Sequence, residues 1–269
     1  MQSLPPEPSP KVFDLDADAV VDHLAGFIRE RVVAAGRTGV VLGLSGGLDS
    51  SLVAHLAARA LGPENVHGYI LPYRTSSPES LAHAMLEADR LGIGHETLEI
   101  SEPADALFET MPDVDPRRRG NVMARLRMIV LYDRSEACRA LPIGTSNRTE
   151  RLLGYGTLHG DTAWAFNPIG ELYKTQVRRL SAALGVEEAI LRKAPSADLW
   201  AGQTDESEMG VTYEVADRVL YLLVDRGLDR DQVVSLGYPA AAVGRVVALM
   251  AASEFKRHLP SVAELRPQR

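Results

Sequence analysis

The sequence predicts an α/β protein, an open parallel sheet with helices on both faces, followed by a helical C-terminal part. Three observations carry this. Short apolar runs alternate with longer amphipathic stretches as far as residue 144. The intervening stretches are long enough to cross back over a sheet, as parallel strands require. From residue 171 onward the pattern is almost entirely helical.

The elements follow in order. Residues 1–14, rich in proline, read as a loose leader. Residues 14–35 predict a helix, with Val20, Leu24, Phe27 and Ile28 on one face. TGVVLGL at 38–44 is a short strand apolar enough to be buried on both faces. Residues 49–61 predict a helix ended by Gly62-Pro63. A second strand follows at 66–71, a helix at 77–91 stopped by Gly92, and a third strand at 95–100. The long helix at 122–139 keeps Val122, Leu126, Ile129 and Val130 in register, and a fourth strand fits 141–144. One domain is expected over 15–262, with a tail at 263–269.

Bulk properties narrow the function. The 269 residues are 45% hydrophobic and 24% charged, with a formal net charge of −7. An acidic excess disfavours a nucleic-acid partner. No apolar run approaches the roughly 20 residues that span a bilayer, so no membrane partner is expected. Cys138 is the single cysteine, which excludes an intrachain disulfide and a multi-cysteine metal cluster. It is compatible with a reducing cytoplasm, the expected compartment. His55, His67, His83, His95 and His258 are scattered without metal spacing.

The chemistry starts at GLSGGLDSS, residues 43–51. It sits where the first strand ends and a helix begins, the place where open α/β sheets bind ligands. Glycines there let the backbone approach a ligand with its N–H groups turned inward. The helix start adds its positive end, and Ser45 and Ser50 add hydroxyls. Such a nest suits a phosphate chain. Asp49 would repel bare phosphate, which points to Mg²⁺ between them. The plainer alternative is a Gly-rich turn with an aspartate N-cap. No lysine follows the glycines, so this is not a Walker loop, and the dinucleotide spacing Gly-x-Gly-x-x-Gly does not fit either.

The string resembles the pyrophosphate loop of the ATP pyrophosphatases. The chain also carries GNVMARLRM (120–128), IGTSNRTE (143–150), NPIGELYKTQV (167–177), KAPSADLWAGQTDESEMG (193–210) and EFKRHLP (254–260). In this order the blocks resemble the ammonia-using NAD synthetases, over residues 15–262. The resemblance implies a Rossmann-like fold of the adenine nucleotide alpha-hydrolase kind. It implies ATP-dependent amidation of deamido-NAD with ammonia to NAD, AMP and pyrophosphate, through an adenylated carboxylate and with Mg²⁺. It also implies a homodimer.

Carried over residue by residue, Gly43, Leu44, Ser45, Gly46, Gly47, Leu48, Asp49 and Ser50 would bind ATP, with Thr145, Lys174 and Ser196. Asp49 and Glu150 would hold the metal. Arg125, Asp161, Trp164 and Lys256 would meet deamido-NAD. Singly, Glu150 could be a solvated helix-start acid and Lys174 an exposed lysine. In the family it resembles, many members have a lysine, an aspartate and a histidine where this chain has Leu158, Ala165 and Phe255. Trp164, Phe166 or His159 would then compensate by stacking on a ring.

Two other readings stay open: an amide-forming ligase of the same superfamily acting on another carboxylate, and a nucleotide-binding module without turnover. The chain shows no glutaminase block, so ammonia would arrive free or from a separate donor protein. RRRG at 117–120 reads as a solvated loop or a phosphate patch.

Overall fold

The computed structural model describes residues 10–196, 198, 204–260 and 262–263. Four strands form one sheet: β1 Gly39–Gly43, β2 Val66–Ile70, β3 Gly94–Thr97 and β4 Ala140–Pro142. The order is β3-β2-β1-β4 and all pairings are parallel. The chain therefore winds outward from β1 in one direction, then returns to its other side with β4. That reversal between β1 and β4 opens a crevice at their carboxyl ends.

Period-2 alternation splits the strand side chains between two layers. Val40 and Leu42 face a core with α1 (Ala17–Ala34), α2 (Leu48–Leu61) and α3 (Pro78–Leu91). Val41 faces the opposite core with α4 (Ser101–Glu109) and α5 (Pro116–Ala137). The remaining helices are short: α6 Arg148–Leu153, α7 Lys174–Ala183, α8 Glu188–Arg192, α9 Asp205–Met209, α10 Tyr213–Leu220, α11 Arg230–Ser235 and α12 Ala240–Ala252. A third apolar cluster unites α9 to α12 with Leu153 and Tyr173.

Several boundaries differ from the sequence expectation, and α4 and α6 were not expected. α1 starts three residues late because the Asp16 side chain caps it, accepting from the Ala19 N–H. α5 begins at Pro116, six residues early, since Asp115 caps it by accepting from the Arg118 N–H at 2.9 Å. RRRG is thus the first turn of a helix, not a loop, and Arg119 lies over the Phe108 ring. The third strand ends at Thr97, three residues early, although the Leu98 and Ile100 N–H groups still donate to the Ile70 and Pro72 carbonyls. Phe13, placed in the leader, is buried edge-on to Tyr173 with centroids 5.5 Å apart. Residues 1–9 and most of the tail lie outside the described residues.

Candidate active site

The loop after β1 is stiffened by its own hydroxyls. Ser45 Oγ accepts the Gly47 N–H at 3.2 Å and lies 3.1 Å from Ser50 Oγ, which donates to the Gly47 carbonyl at 3.0 Å. Gly46 has φ +67°, and a Cβ there would stand 2.0 Å from the Ser80 carbonyl oxygen. Only glycine fits. Gly47 caps α2 with no side-chain hydrogen bond, so the first-turn N–H groups stay open to an anion. The alternative of an aspartate N-cap is not what the chain builds: Asp49 lies inside the helix and its carboxylate points elsewhere.

That carboxylate meets residues from two later loops. Asn147 Nδ2 donates to Asp49 Oδ1 at 2.9 Å, and the Lys174 ammonium pairs with Asp49 Oδ2. Lys174 Nζ also lies 3.6 Å from Glu150 Oε1. Asn147 and Glu150 form the capping box of α6: Asn147 Oδ1 accepts the Glu150 N–H at 3.0 Å, and the Asn147 N–H donates to Glu150 Oε2 at 3.2 Å. Asn147 thus orients both acids. Burial, with Asp49 nearby, pushes the Glu150 carboxyl up to about 8. Burial opposes the charge on Lys174, but Asp49 and Glu150 outweigh it and raise its pKa. Lys174 is neither exposed nor incidental; its side chain is 5% exposed.

Asp217 of α10 positions this lysine. It is fully buried and accepts from the Thr149 hydroxyl and from the Thr175 N–H, the latter at 2.8 Å. The Lys174 N–H donates to Thr149 Oγ1 at 3.0 Å. One carboxylate therefore ties the start of α6 to the start of α7. Behind Glu150, Tyr213 donates to Asp205 at 2.9 Å, and Tyr155 donates to Asp205 at 3.0 Å and to Glu208 at 2.7 Å. Burial raises the Asp205 carboxyl, and burial beside these acids raises both phenols.

At the other end, Arg125 donates from Nε and Nη2 to the Leu158 carbonyl at 3.2 and 3.1 Å. Lys256 donates to the carbonyls of Gly154 and Gly156 at 2.9 and 2.7 Å. Asp161 Oδ1 accepts the Thr157 N–H at 2.6 Å. All three tie the 154–161 loop together. Residues 164–166 extend the sheet beyond β4, with the Gly144 N–H donating to Phe166 and the Ala165 N–H to Pro142. Trp164 lies against Gly144, where a Cβ would come within 2.7 Å of its ring. Its indole Nε1 is buried without a hydrogen-bond partner among the described residues.

One cavity of about 1260 Å³ joins both ends. It is larger than the usual drug-sized pocket of roughly 300–1,000 Å³. Every predicted site residue lines it except Gly46, which packs on Ser80 instead. Leu158 and Phe255 line it and Ala165 does not. Two expected stacking partners drop out. Phe166 is buried in the core edge-on to Phe27, and His159 is exposed and does not line the cavity. Cys138 caps α5 half-buried, 3.6 Å from the Tyr69 hydroxyl.

Asp49 and Glu150 fit a Mg²⁺ ion that arrives with its nucleotide, because that ion is typically held by one or two carboxylates plus phosphate oxygens. A protein-only centre is not built: no group of three or more His, Cys, Asp or Glu side chains able to hold a metal occurs among the described residues. Sequence reasoning missed Asn147, Asp205, Asp217 and Tyr213. The Asn147-x-x-Glu150 spacing was a readable capping-box signal; the others depend on tertiary packing alone.

Comparison with known proteins shows the family. Residues 20–260 match the NAD synthase family. The "NH(3)-dependent NAD(+) synthetase" of Trichlorobacter lovleyi is 52% identical over 242 residues, 90% of this chain and 89% of its own. The solved NMN synthetase from Francisella tularensis superposes with a TM-score of 0.84 at 34% identity, covering 94% of this chain and all of that one. The NH3-dependent NAD synthetase from Campylobacter jejuni, solved with nitrate, gives 0.80 at 33% identity over 93% of this chain and 100% of its own. With a glycine-rich loop, two acids and a buried lysine meeting at the sheet's switch point, and with a family match over nearly its whole length, the chain belongs to the NAD synthase family.

Proposed function

We infer that the chain amidates deamido-NAD with ammonia, consuming ATP and releasing NAD, AMP and pyrophosphate. The observation that carries this is the single cavity with a phosphate loop, Lys174 and two acids at one end and Arg125 and Trp164 at the other. The names of its relatives support the same reading.

The residues divide the work. The open N–H groups of α2, with Ser45, Ser50, Thr145 and Ser196, hold the triphosphate. Lys174 shares its charge with Asp49 and Glu150 until a nucleotide arrives, then offers it to the leaving pyrophosphate. Mg²⁺ held by Asp49 and Glu150 would supply further charge neutralisation at that pyrophosphate. Arg125 and Lys256 line the acid-substrate end. Trp164 offers a ring face there, which compensates for the missing charges at Leu158 and Phe255. In the cell the reading places the enzyme in the cytoplasm, using ammonia either free or from a separate donor. No described helix is long and apolar enough to cross a membrane.

A homodimer belongs to the same reading. Ile129 and Tyr132 of α5 are 57% and 42% exposed on one outer face, surface that a second copy would cover. A mononucleotide acid is the second reading for the substrate. It is favoured by the apolar Leu158 and Phe255 at the cavity and by the likeness to an NMN synthetase. The deciding experiment incubates the protein with ATP, Mg²⁺, ammonium and either deamido-NAD or deamido-NMN, and weighs the products by mass spectrometry. NAD and AMP from the first mixture establish the reading; amide only from the second replaces it; AMP from neither removes it.

A further inference from the structure

Arg127 lies on α5 and lines the cavity. Its Nε donates to the Leu71 carbonyl at 2.9 Å, just past the carboxyl end of β2. That bond fixes the guanidinium plane. Nη1 and Nη2 make no hydrogen bond, and no carboxylate forms an ion pair with them, among the described residues. Arg148 makes the contrast: it is also poorly exposed, and it pairs with both Glu171 and Asp225.

A cation taken out of water without a counter-charge is costly. Burial accordingly pulls the Arg127 pKa below the ordinary arginine value, and only the more distant fields of Asp198 and Asp161 oppose this. Those two acids belong to opposite ends of the site. Asp198 accepts the Ser77 N–H beside the nucleotide half, and Asp161 holds the 157–161 loop of the acid half. The free edge of the guanidinium fork thus sits at the junction, presented to a cavity.

We propose that Arg127 grips the α-phosphoryl group of the nucleotide throughout the reaction. This rests on the amidation reading. The pyrophosphate end is served by the α2 terminus and Lys174, and the acid end by Arg125. The α-phosphorus is the one atom bonded first to pyrophosphate and then to the acid, so it lies where the halves meet. In the first step the acid's carboxylate oxygen bonds to that phosphorus, its bond to the bridging oxygen breaks, and the electron pair leaves on pyrophosphate. In the second step ammonia nitrogen bonds to the acyl carbon, the carbon–oxygen bond to AMP breaks, and the nitrogen sheds one proton to solvent. The non-bridging oxygens of the same phosphoryl group are present in ATP, in the acyl-adenylate and in AMP. A planar fork that binds two oxygens at once serves all three.

The test uses Arg127→Lys and Arg127→Gln in the full chain. Labelled pyrophosphate exchange into ATP, with deamido-NAD present and ammonia absent, reads the first step alone. Melting temperature and the circular dichroism spectrum report the fold. Both variants should fold with near-normal melting and lose exchange by roughly 100-fold, the usual effect of removing one transition-state donor. Arg127→Lys should not recover it, since the charge without the fork is insufficient. Exchange within threefold of wild type in a folded Arg127→Gln overturns the proposal. So does a lowered melting temperature with exchange per folded molecule unchanged, because the residue then only anchors Leu71. A wild type that makes no AMP removes the amidation reading itself, and this proposal with it.

Discussion

The ammonium of Lys174 pairs with Asp49 and lies 3.6 Å from Glu150, so one buried cation balances acids delivered by α2 and α6. Each acid needs it, and it needs both. Asp49→Asn keeps the shape and the Asn147 contact but removes the charge. AMP formation should fall by at least about 100-fold while the circular dichroism spectrum stays unchanged. Near-normal turnover in this variant would sink the assignment of the phosphate site.

Lys174→Met removes the cation and leaves two carboxylates facing each other. Like charges at such range push one carboxyl further up. Turnover should vanish, and melting should become more sensitive to alkaline pH than in wild type, as ionising both acids is then unopposed. A melting curve that tracks wild type from pH 6 to 9 argues against the triad.

Gly46→Ala brings a methyl against the Ser80 carbonyl, at a position with φ +67°. The loop or α3 must shift, at a cost of about 1–3 kcal/mol. ATP affinity should drop sharply even where the protein still folds, measurable by isothermal titration with a non-hydrolysable analogue. Unchanged affinity means the loop is not the phosphate cradle.

Trp164→Ala opens the acid end without touching Lys174. An aromatic contact of this kind is worth about 1 kcal/mol beyond its buried area, so KM for the acid substrate should rise about tenfold and KM for ATP should hold. A rise in both, or in neither, removes Trp164 from that role.

Glu87 supplies a pH prediction far from the chemistry. Its buried carboxylate meets the His55 ring at 2.8 Å, accepts the Glu187 N–H and pairs with Arg90. Burial alone would raise it, but the His55 hydrogen bond, the Glu187 N–H and the His55 and Arg90 charges outweigh burial and hold it below 4.5. A depressed carboxyl stabilises the fold above its unfolded value, and the contribution is lost as pH falls through the folded one. Glu87→Gln should cost about 1–3 kcal/mol at pH 7, and the gap to wild type should close below pH 4.5. A gap that persists at pH 3 excludes the linkage.

Much of this was legible in the chain. The four strands and the helices after the first two followed from apolar runs and Gly or Pro stops, and α5 from its apolar face, whereas α4 and α6 were not foreseen; the sequence around Gly46 announced a bare backbone. Boundaries were missed where a side-chain cap decides them, as Asp16 and Asp115 do. Phe166 looked like a ring for stacking because a one-dimensional reading cannot tell Trp164, which lines the cavity, from its neighbour two residues on, which packs on Phe27. Asp217 was invisible for a different reason. A lone acid in an amphipathic helix looks solvated until the fold places it between Thr149 and Thr175.

That placement has a consequence for the order of events during synthesis. Translation proceeds at roughly 5–20 residues per second, and Lys174 leaves the ribosome well before Asp217. Over that interval the strands, the phosphate loop and both acids already exist, but the Thr149 hydroxyl and the Thr175 N–H lack their acceptor. The nascent protein therefore carries a phosphate cradle before it carries a fixed lysine. Only the arrival of α10 supplies the acceptor that ties the start of α6 to the start of α7.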